Sequence, residues 1–490
     1  MMMPQSDKSS TQDELLSNRK RELLQHVEST ADAQEDWRKL NSAYYESDRS
    51  FVRFLIPSGQ RVLEVGCGRG DLLSALEPSH GVGIDFSPTM IAKARERHPH
   101  LTFVCEDVEQ PGAFEKLEGT FDYILIADTI GMLEDIDGTL RALHRVCSLS
   151  TRLVIAYYSP LWEPILKLGE LVRLKSRQPD INYLSGADFI NMMDLADFEV
   201  LKLERKQLLP RSLLGVGTFV NRFVAPLPGI RALCLRTYVV GRPIKRNSDQ
   251  SLSASVLIPC RNERGNVENA VRRIPKFGLR QELIFVEGNS TDGTYEECLR
   301  VKDAYKDQWD IKVLKQDGKG KGDAVRKGFA AASCDVLMIL DADLTMPPED
   351  LPKYHFAIES GKAEFVNGTR LVYPMEDEAM RPLNLMANRL FAWLFTFLVN
   401  TRLTDTLCGT KALLRSDYEE LARNRAYFGE FDPFGDFDLI FGAAKHNLKI
   451  IEVPIKYRAR TFGETQISRF RDGWLLFKMV WFAYRKLKAI

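Results

Sequence analysis

Most of the signals that would narrow a function at once are missing from this sequence. Its eight cysteines include no CxxC pair and its seven histidines no HxxxH or HExxH pair, so nothing in it reads as a zinc site. Scattered thiols fit a reducing compartment better than a disulfide framework. Net charge is missing too. The 67 basic and 67 acidic side chains cancel, which removes the broad attraction to polyanions of a nucleic-acid binder, and no nucleic-acid partner is expected. With 22 Pro and 32 Gly among 490 residues, the composition is neither disordered nor fibrous. The opening stretch MMMPQSDKSSTQDELLSNRKRELL lacks the apolar run of a signal peptide, so a cytoplasmic location is expected. The longest apolar runs, Leu390 to Val399 and Trp474 to Tyr484, fall short of the ~20 residues that cross a bilayer. No transmembrane helix is expected.

What is present is a series of strand, glycine turn and helix that starts twice, at Arg61 and near Ser253. The glycine and carboxylate patterns of the two series differ, so they predict two unlike α/β domains, residues 1–245 and 253–490, joined by the polar stretch 246–252.

In the first half, Arg61 to Val65 reads as a short buried strand followed by Gly66-Cys-Gly68-Arg-Gly70 and a helix. Such glycines let backbone N–H groups approach a ligand at a helix N-terminus. Three further strands end in Asp85, Asp107 and Asp128, and a fifth runs from Thr151 to Tyr158. The glycine turn alone could be purely structural. Its convergence with three acids on the carboxyl edge of one sheet favours a ligand site.

The motifs LEVGCGRG, GVGIDFS, CEDV and FDYILIADTIGML resemble those of the class I S-adenosylmethionine-dependent methyltransferases, with Ala232 to Pro243 similar to that fold's last antiparallel strands. The resemblance implies a Rossmann-like methyltransferase fold with S-adenosyl-L-methionine as cofactor. It places Glu64, Gly66, Gly68 and Gly70 by the methionine moiety, Asp85 on the ribose, and Asp107 with Val108 at the adenine. The GxGxG spacing differs from the GxGxxG of dinucleotide folds. Asp128 has two readings, a base for the methyl acceptor or part of the cofactor pocket. Trp37, Asn41, Tyr44 and Tyr45 precede the first strand on a helix that either lids the pocket or packs its aromatics against the sheet.

In the second half, Ser255 to Cys260 leads into Asn262-Glu263, and a second strand ends in Glu287 before an STDGT turn, which puts acceptors for a nucleoside at one sheet edge. The run Lys315 to Ala324 alternates glycine and lysine before a helix, either a diphosphate cradle or a solvated charged loop. An apolar strand then runs into Asp341-Ala-Asp343. In extended backbone, residues i and i+2 face one way, so the two carboxylates are expected to share a ligand, and hard oxygen donors suit Mg²⁺ or Mn²⁺ on phosphate oxygens.

With FVNGTR ending at Arg370, TDTLCGTKA from Thr404, and EVPIKYRARTFGET from Glu452, these motifs resemble the family 2 glycosyltransferases of GT-A fold, in particular the polyprenyl-phosphate (dolichol-phosphate mannose type) sugar synthases, over residues 253–470. The resemblance implies a nucleotide-sugar donor whose nucleoside is held by Pro259, Asn262, Glu263 and Glu287, with Asp317, Lys319, Lys321 and Asp323 on the donor loop. It puts Asp341 and Asp343 on the metal, Arg370, Arg458 and Arg460 on phosphates, and a polyprenyl phosphate or other lipid-linked molecule as acceptor. Where the family has DDGS or DDNS, this chain has Glu287-Gly-Asn-Ser, and Gly288 leaves the second acidic position empty. A lipid phosphate is already an anion at neutral pH and needs no base. A hydroxyl acceptor needs one, for which Asp436 and Asp438 stand at the start of a helix, where carboxylates also serve as caps.

Two apolar segments, 389–402 and 469–490, belong to the second half. In the terminal one, Arg471, Lys478 and Arg485 recur every seven residues as a basic stripe opposite Trp, Leu and Phe. Such a helix lies in a headgroup region, packs into a core or forms a dimer interface. From Lys445 to Ile490 there are 11 basic and 3 acidic residues, a net +8, so overall neutrality averages an acidic body and a basic C-terminal edge. The expectation is a bifunctional enzyme of surface glycan or glycolipid synthesis, peripheral on the cytoplasmic membrane face. The alternative is sugar transfer to a hydroxyl, with the first half a non-catalytic nucleotide-binding scaffold.

Overall fold

The computed structural model describes residues 17–30, 41–171, 182, 184–211, 215–244, 251–370, 382–427, 437–455, 462 and 469–490. Trp37, Asp436, Arg458 and Arg460 lie outside them. The chain divides into two compact units, Met1–Ile244 with Ala489–Ile490, and Lys245–Lys488. Each is α/β.

In unit 1, α1 (Asn18–Thr30) and α2 (Ser42–Leu55) precede β1 (Arg61–Val65), α3 (Asp71–Ala75), β2 (His80–Asp85), α4 (Pro88–Arg97), β3 (Thr102–Cys105), β4 (Phe121–Ala127), α5 (Ile136–Leu143), β5 (Cys147–Tyr158), α6 (Glu163–Leu171), α7 (Gly186–Leu195), β6 (Phe198–Lys206) and β7 (Arg236–Pro243). The sheet order is β3-β2-β1-β4-β5-β7-β6, with β7 antiparallel to both neighbours and β1 to β5 parallel. Val62, Leu63 and Val65 of β1 and Ile124 to Ile126 of β4 are fully buried, as strands covered on both faces require. Parallel strands bring their carboxyl ends to one edge, so the turns after β1, β2, β3 and β4 are neighbours. Helix starts are locally specified. Ser87 accepts the Met90 N–H ahead of Pro88, and Ser185 with Asp188 forms a capping box.

The expected antiparallel strands over Ala232 to Pro243 are corrected in part. Only Arg236–Pro243 is a strand there, and it lies antiparallel between β5 and β6, the latter at Phe198–Lys206. The sequence of β6, FEVLKLERK, hides it because Lys202, Glu204 and Lys206 are themselves buried.

Unit 2 runs β8 (Ala254–Cys260), α8 (Arg264–Arg273), β9 (Gln281–Glu287), α9 (Thr294–Ala304), β10 (Asp310–Lys315), α10 (Lys321–Ala331), β11 (Val336–Ile339), α11 (Leu351–Glu359), β12 (Phe365–Thr369), α12 (Pro382–Val399), β13 (Lys411–Leu414), α13 (Arg415–Arg423), α14 (Phe437–Lys445), β14 (Ile450–Pro454) and α15 (Arg469–Leu487). Its sheet order is β10-β9-β8-β11-β13-β12-β14, parallel except for β13. Among the described residues, no helix is long and apolar enough to cross a membrane.

Candidate active sites

Unit 1 gathers the expected residues around a cavity that opens to solvent, lined by Gly66, Asp85, Asp107, Val108, Thr129 and, from α1, Lys20 and Leu23, among others. Glu64, at the end of β1, accepts the Leu73 N–H at 3.0 Å and so ties the strand to α3. Gly66 has φ 72°, and a Cβ there would meet Thr129 Oγ1 at 1.9 Å. At Gly68 (φ 52°) an added Cβ meets nothing within 4 Å, so this backbone faces open space. The Gly68 N–H donates to Asp85 Oδ2 at 2.8 Å and the Ser87 N–H to Oδ1 at 2.9 Å. Burial pushes the Asp85 carboxyl up, against these backbone donors.

Asp107 has a partner that sequence reasoning missed. Lys20 Nζ of α1 bridges Asp107 and Glu109, the latter at 2.9 Å, in a buried site. Burial works against the Lys20 charge, and the two carboxylates outweigh it, leaving its pKa raised. α1, rather than the Tyr44–Tyr45 segment, therefore covers the cavity. Asp128, just past β4, takes φ 61° and pairs with Arg236, which is fully buried and also bonds Asp48 at 3.0 Å. Tyr44 is buried here. Its hydroxyl lies 3.0 Å from that of Tyr158, whose ring stands 4.9 Å from the Arg236 guanidinium, while Tyr45 packs edge-on against Tyr44. Asn41 is the N-cap residue of α2. Asp128 thus belongs to a charged, aromatic cluster beside the cavity.

In unit 2, the turns after β8 and β9 are laced together beyond Pro259. Asn262 (φ 55°) donates its N–H to Ser290 Oγ and accepts the Thr291 N–H, each at 2.9 Å. Glu263 accepts from Asn266 Nδ2 at 2.7 Å, and Glu287, buried at the end of β9, accepts the Ser290 N–H. In the lysine–glycine loop, Asp323 accepts the Gly318 N–H at 2.8 Å, Asp317 pairs with Lys327 at 2.7 Å, and Lys319 is exposed.

Asp341 and Asp343 depart from the extended-backbone expectation. β11 stops at Ile339, and the carboxylates sit in a turn that includes Leu344 at φ 53°. Lys321, at the start of α10, reaches Asp341 at 2.7 Å, and Asp343 accepts from the Thr345 N–H at 3.2 Å and its hydroxyl at 2.9 Å. Burial would raise the Asp341 pKa, but Lys321, then Lys411 and Arg370, hold it below the usual carboxylate range. Both members of the pair press on Gly409, where an added Cβ would fall 2.1 Å from Asp341 Oδ2 and from Lys321 Nζ.

The loop containing Gly409 is fixed from below. Arg370 binds the fully buried Asp405 through Nε (2.6 Å) and Nη2 (2.8 Å), Glu452 accepts the Thr404 and Asp405 N–H groups, and the buried Lys411 donates to Cys408 O at 2.6 Å. Asp405 and Lys411 went unrecognised in the sequence. Asp438, on the first turn of α14, bonds Arg425 at 3.1 Å. Burial pushes its carboxyl up, opposed by Arg425 and Arg326. Among the described residues, no cluster of three or more His, Cys, Asp or Glu side chains is set to hold a metal ion.

The model of the glycosyl transferase family 2 matches residues 255–421, and that of a methyltransferase domain matches residues 37–203. The chain is 30% identical over 249 residues to a dolichol-phosphate mannosyltransferase of Pyrococcus furiosus, covering 48% of this chain and 64% of that one. It is 28% identical over 236 residues to the low-salt glycan biosynthesis hexosyltransferase Agl6 of Haloferax volcanii, covering 47% and 54%. It is 31% identical over 196 residues to a dolichyl-phosphate hexose transferase of Haloferax volcanii, covering 40% and 77%. Of the first two relatives, then, the chain spans less than two thirds. Among solved structures, a Thermotoga maritima SAM-dependent methyltransferase, named a possible histamine N-methyltransferase, matches with TM-score 0.35 and 17% identity over 45% of this chain and 99% of that one.

Proposed function

The chain belongs to the family 2 glycosyltransferases and carries a methyltransferase domain ahead of that one, and from this we propose that it is a bifunctional enzyme: unit 2 transfers a sugar from a nucleotide-sugar to a polyprenyl-phosphate-type lipid, and unit 1 transfers methyl groups from S-adenosyl-L-methionine.

For unit 2 the supporting observation is the Asp341–Lys321 pair on bare Gly409. It keeps a carboxylate ionised at the carboxyl edge of the sheet, beside the loop that Asp405 and Arg370 brace. The donor set fits a hard divalent cation, Mg²⁺ or Mn²⁺, which would neutralise the leaving diphosphate. Among the described residues no group of three or more acidic, His or Cys side chains gathers here, so phosphate oxygens and water would fill the positions that the two carboxylates leave. Glu263 and Glu287 would receive the nucleoside, and Lys319 and Lys321 the diphosphate. A phosphate acceptor attacks the anomeric carbon as an anion, so no proton need move. Asp438, its pKa raised by burial, is the group that a hydroxyl acceptor would require as base.

For unit 1 the supporting observation is the cavity that holds Gly66, Asp85, Asp107 and Val108, with the open backbone of Gly68 bonded to Asp85 at its edge. These residues fit the cofactor, which supplies an electrophilic methyl group when bound. Asp85, anchored by two backbone N–H groups, is poised for the ribose, and Asp128 stands in the adjoining acceptor region. The enzyme works at a membrane surface: Trp393 on α12 and Trp474, Phe477 and Trp481 on α15 are exposed, the two helices meet through Phe391 and Phe477 (5.0 Å), and Lys478 and Arg485 are exposed among them. We place it on the cytoplasmic face, in glycan or glycolipid synthesis.

Radiolabelled nucleotide-sugars incubated with polyprenyl phosphate test the transfer. Label should enter the organic extract in a metal-dependent way, and label moving only to a water-soluble sugar would favour the hydroxyl reading. Calorimetry with S-adenosyl-L-methionine tests unit 1, and absence of binding would refute it.

A further inference from the structure

The methyl acceptor of unit 1 is unassigned, and the surface beside its site carries information about it. β5 ends at Tyr158 and β7 begins opposite it, at Arg236. The Ser159 N–H donates to Leu235 O at 2.8 Å, and Arg236 holds Asp128, whose neighbour Thr129 lines the cavity. The chain leaving β5 and the chain entering β7 therefore both pass beside the methyl-transfer site.

Both segments carry large apolar side chains in water. After β5, Leu161, Ile165 and Leu168 are 61%, 55% and 58% exposed, and their i, i+4, i+7 spacing puts them on one face. Ahead of β7, Val216, Phe219 and Leu233 are 59%, 60% and 57% exposed. Trp162 Nε1 donates to Leu233 O at 2.7 Å, which joins the two segments. An apolar surface of this kind on a soluble unit marks a contact site.

Charge selects the partner. The segment between β6 and β7, residues 207–235, carries Arg211, Arg222 and Arg231 and no acidic residue. On the segment between β6 and β7, apolar side chains stand among cations with no carboxylate between them, and after β5 Glu163 is paired with Lys167 at 2.7 Å, which together match an anionic bilayer. A second copy of the same face would set like charges together. We infer that unit 1 meets an anionic lipid surface through this rim, and that its methyl acceptor is a lipid-linked molecule presented there. The inference rests on the methyltransferase reading of unit 1 and is independent of the α12–α15 contact of unit 2.

Hydrogen–deuterium exchange of the full chain, with vesicles rich in phosphatidylglycerol and with phosphatidylcholine alone, tests it. Amides of residues 161–168 and 215–233 should slow about tenfold with the anionic vesicles only. Slowing confined to α15 would overturn the inference while leaving unit 2 at the membrane, and protection already complete without vesicles would show that protein covers the rim. A Phe219→Ser, Leu233→Ser double variant, altered only at exposed positions, should bind anionic vesicles about tenfold more weakly at unchanged Tm, and undiminished binding would overturn the claim. Tritiated methyl from S-adenosyl-L-methionine should enter the lipid extract, and transfer only to water-soluble acceptors would contradict it. Failure of the cofactor to bind would instead remove the reading beneath it.

Discussion

Lys321 and Asp341 neutralise each other at 2.7 Å, and on the proposed reading this would set how a donor enters. A cation held by Asp341 would displace an ammonium, and an incoming diphosphate would give that ammonium a new partner, so metal and nucleotide should bind better together than apart. Lys321→Met is expected to tighten Mn²⁺ binding without nucleotide by about tenfold and to abolish this mutual gain, since a local charge pair is worth on the order of one pKa unit. Calorimetric Mn²⁺ titrations with and without nucleoside diphosphates read this directly, and an unchanged metal affinity would show that the pair does not compete. Gly409→Ala would put a Cβ 2.1 Å from both members of the pair. Sugar transfer should fall by about 100-fold, through misplacement of the carboxylate, with the circular dichroism of the folded protein retained. At this scale the carboxylates and glycines were legible because their meaning is local. Their partners were not: Lys20 is 87 residues from Asp107, Asp48 is 188 from Arg236, and Asp405 is 35 from Arg370. Only the folded sheet edge brings such pairs together.

The first three strands of unit 2 are pinned at their base by one carboxylate. Glu282 of β9 is fully buried, bonds Ser255 of β8 at 2.5 Å and pairs with Lys312 of β10 at 2.7 Å. Burial alone would raise its pKa, but Lys312, Ser255 and Ser333 outweigh it and bring it to about 2. A carboxyl depressed on folding stabilises above its unfolded value, near 4.5, and that contribution, about 3 kcal/mol, is lost as pH falls from there towards 2. Thermal melts should show unit 2 losing stability across this window, and Glu282→Gln should destabilise it at neutral pH and flatten the acid dependence; an unaltered acid limb would contradict the assignment. Strands and glycine turns were readable because β1, β4, β8 and β11 are apolar runs that end in turn residues. β6 was not, since three of its charged residues are buried, and the Asp341 turn was misjudged because β11 stops at Ile339. Tertiary packing overrode pattern in both places.

The two units carry separate sites, so loss of one chemistry should leave the other in place. The proposed membrane contact is tested on the molecule as a whole: replacing the exposed Trp474 and Trp481 by Ser should weaken association with anionic vesicles by about tenfold, more visibly at high salt, where the basic stripe is screened. Cosedimentation measures it, and unchanged binding would remove α15 from the interface. The net +8 of residues 445–490 marks a basic segment in the sequence, but does not tell that α12 lies against α15, which depends on Phe391 meeting Phe477. The most direct test of two transferases in one chain is a double-label reaction, in which the full protein receives a sugar-labelled nucleotide-sugar, methyl-labelled S-adenosyl-L-methionine, a divalent cation and a lipid extract containing polyprenyl phosphate. Both labels should enter the organic phase, the sugar label alone being lost with Asp341→Ala and the methyl label alone with Asp85→Ala. Labels that stay in the aqueous phase, or that persist through both substitutions, would contradict the account.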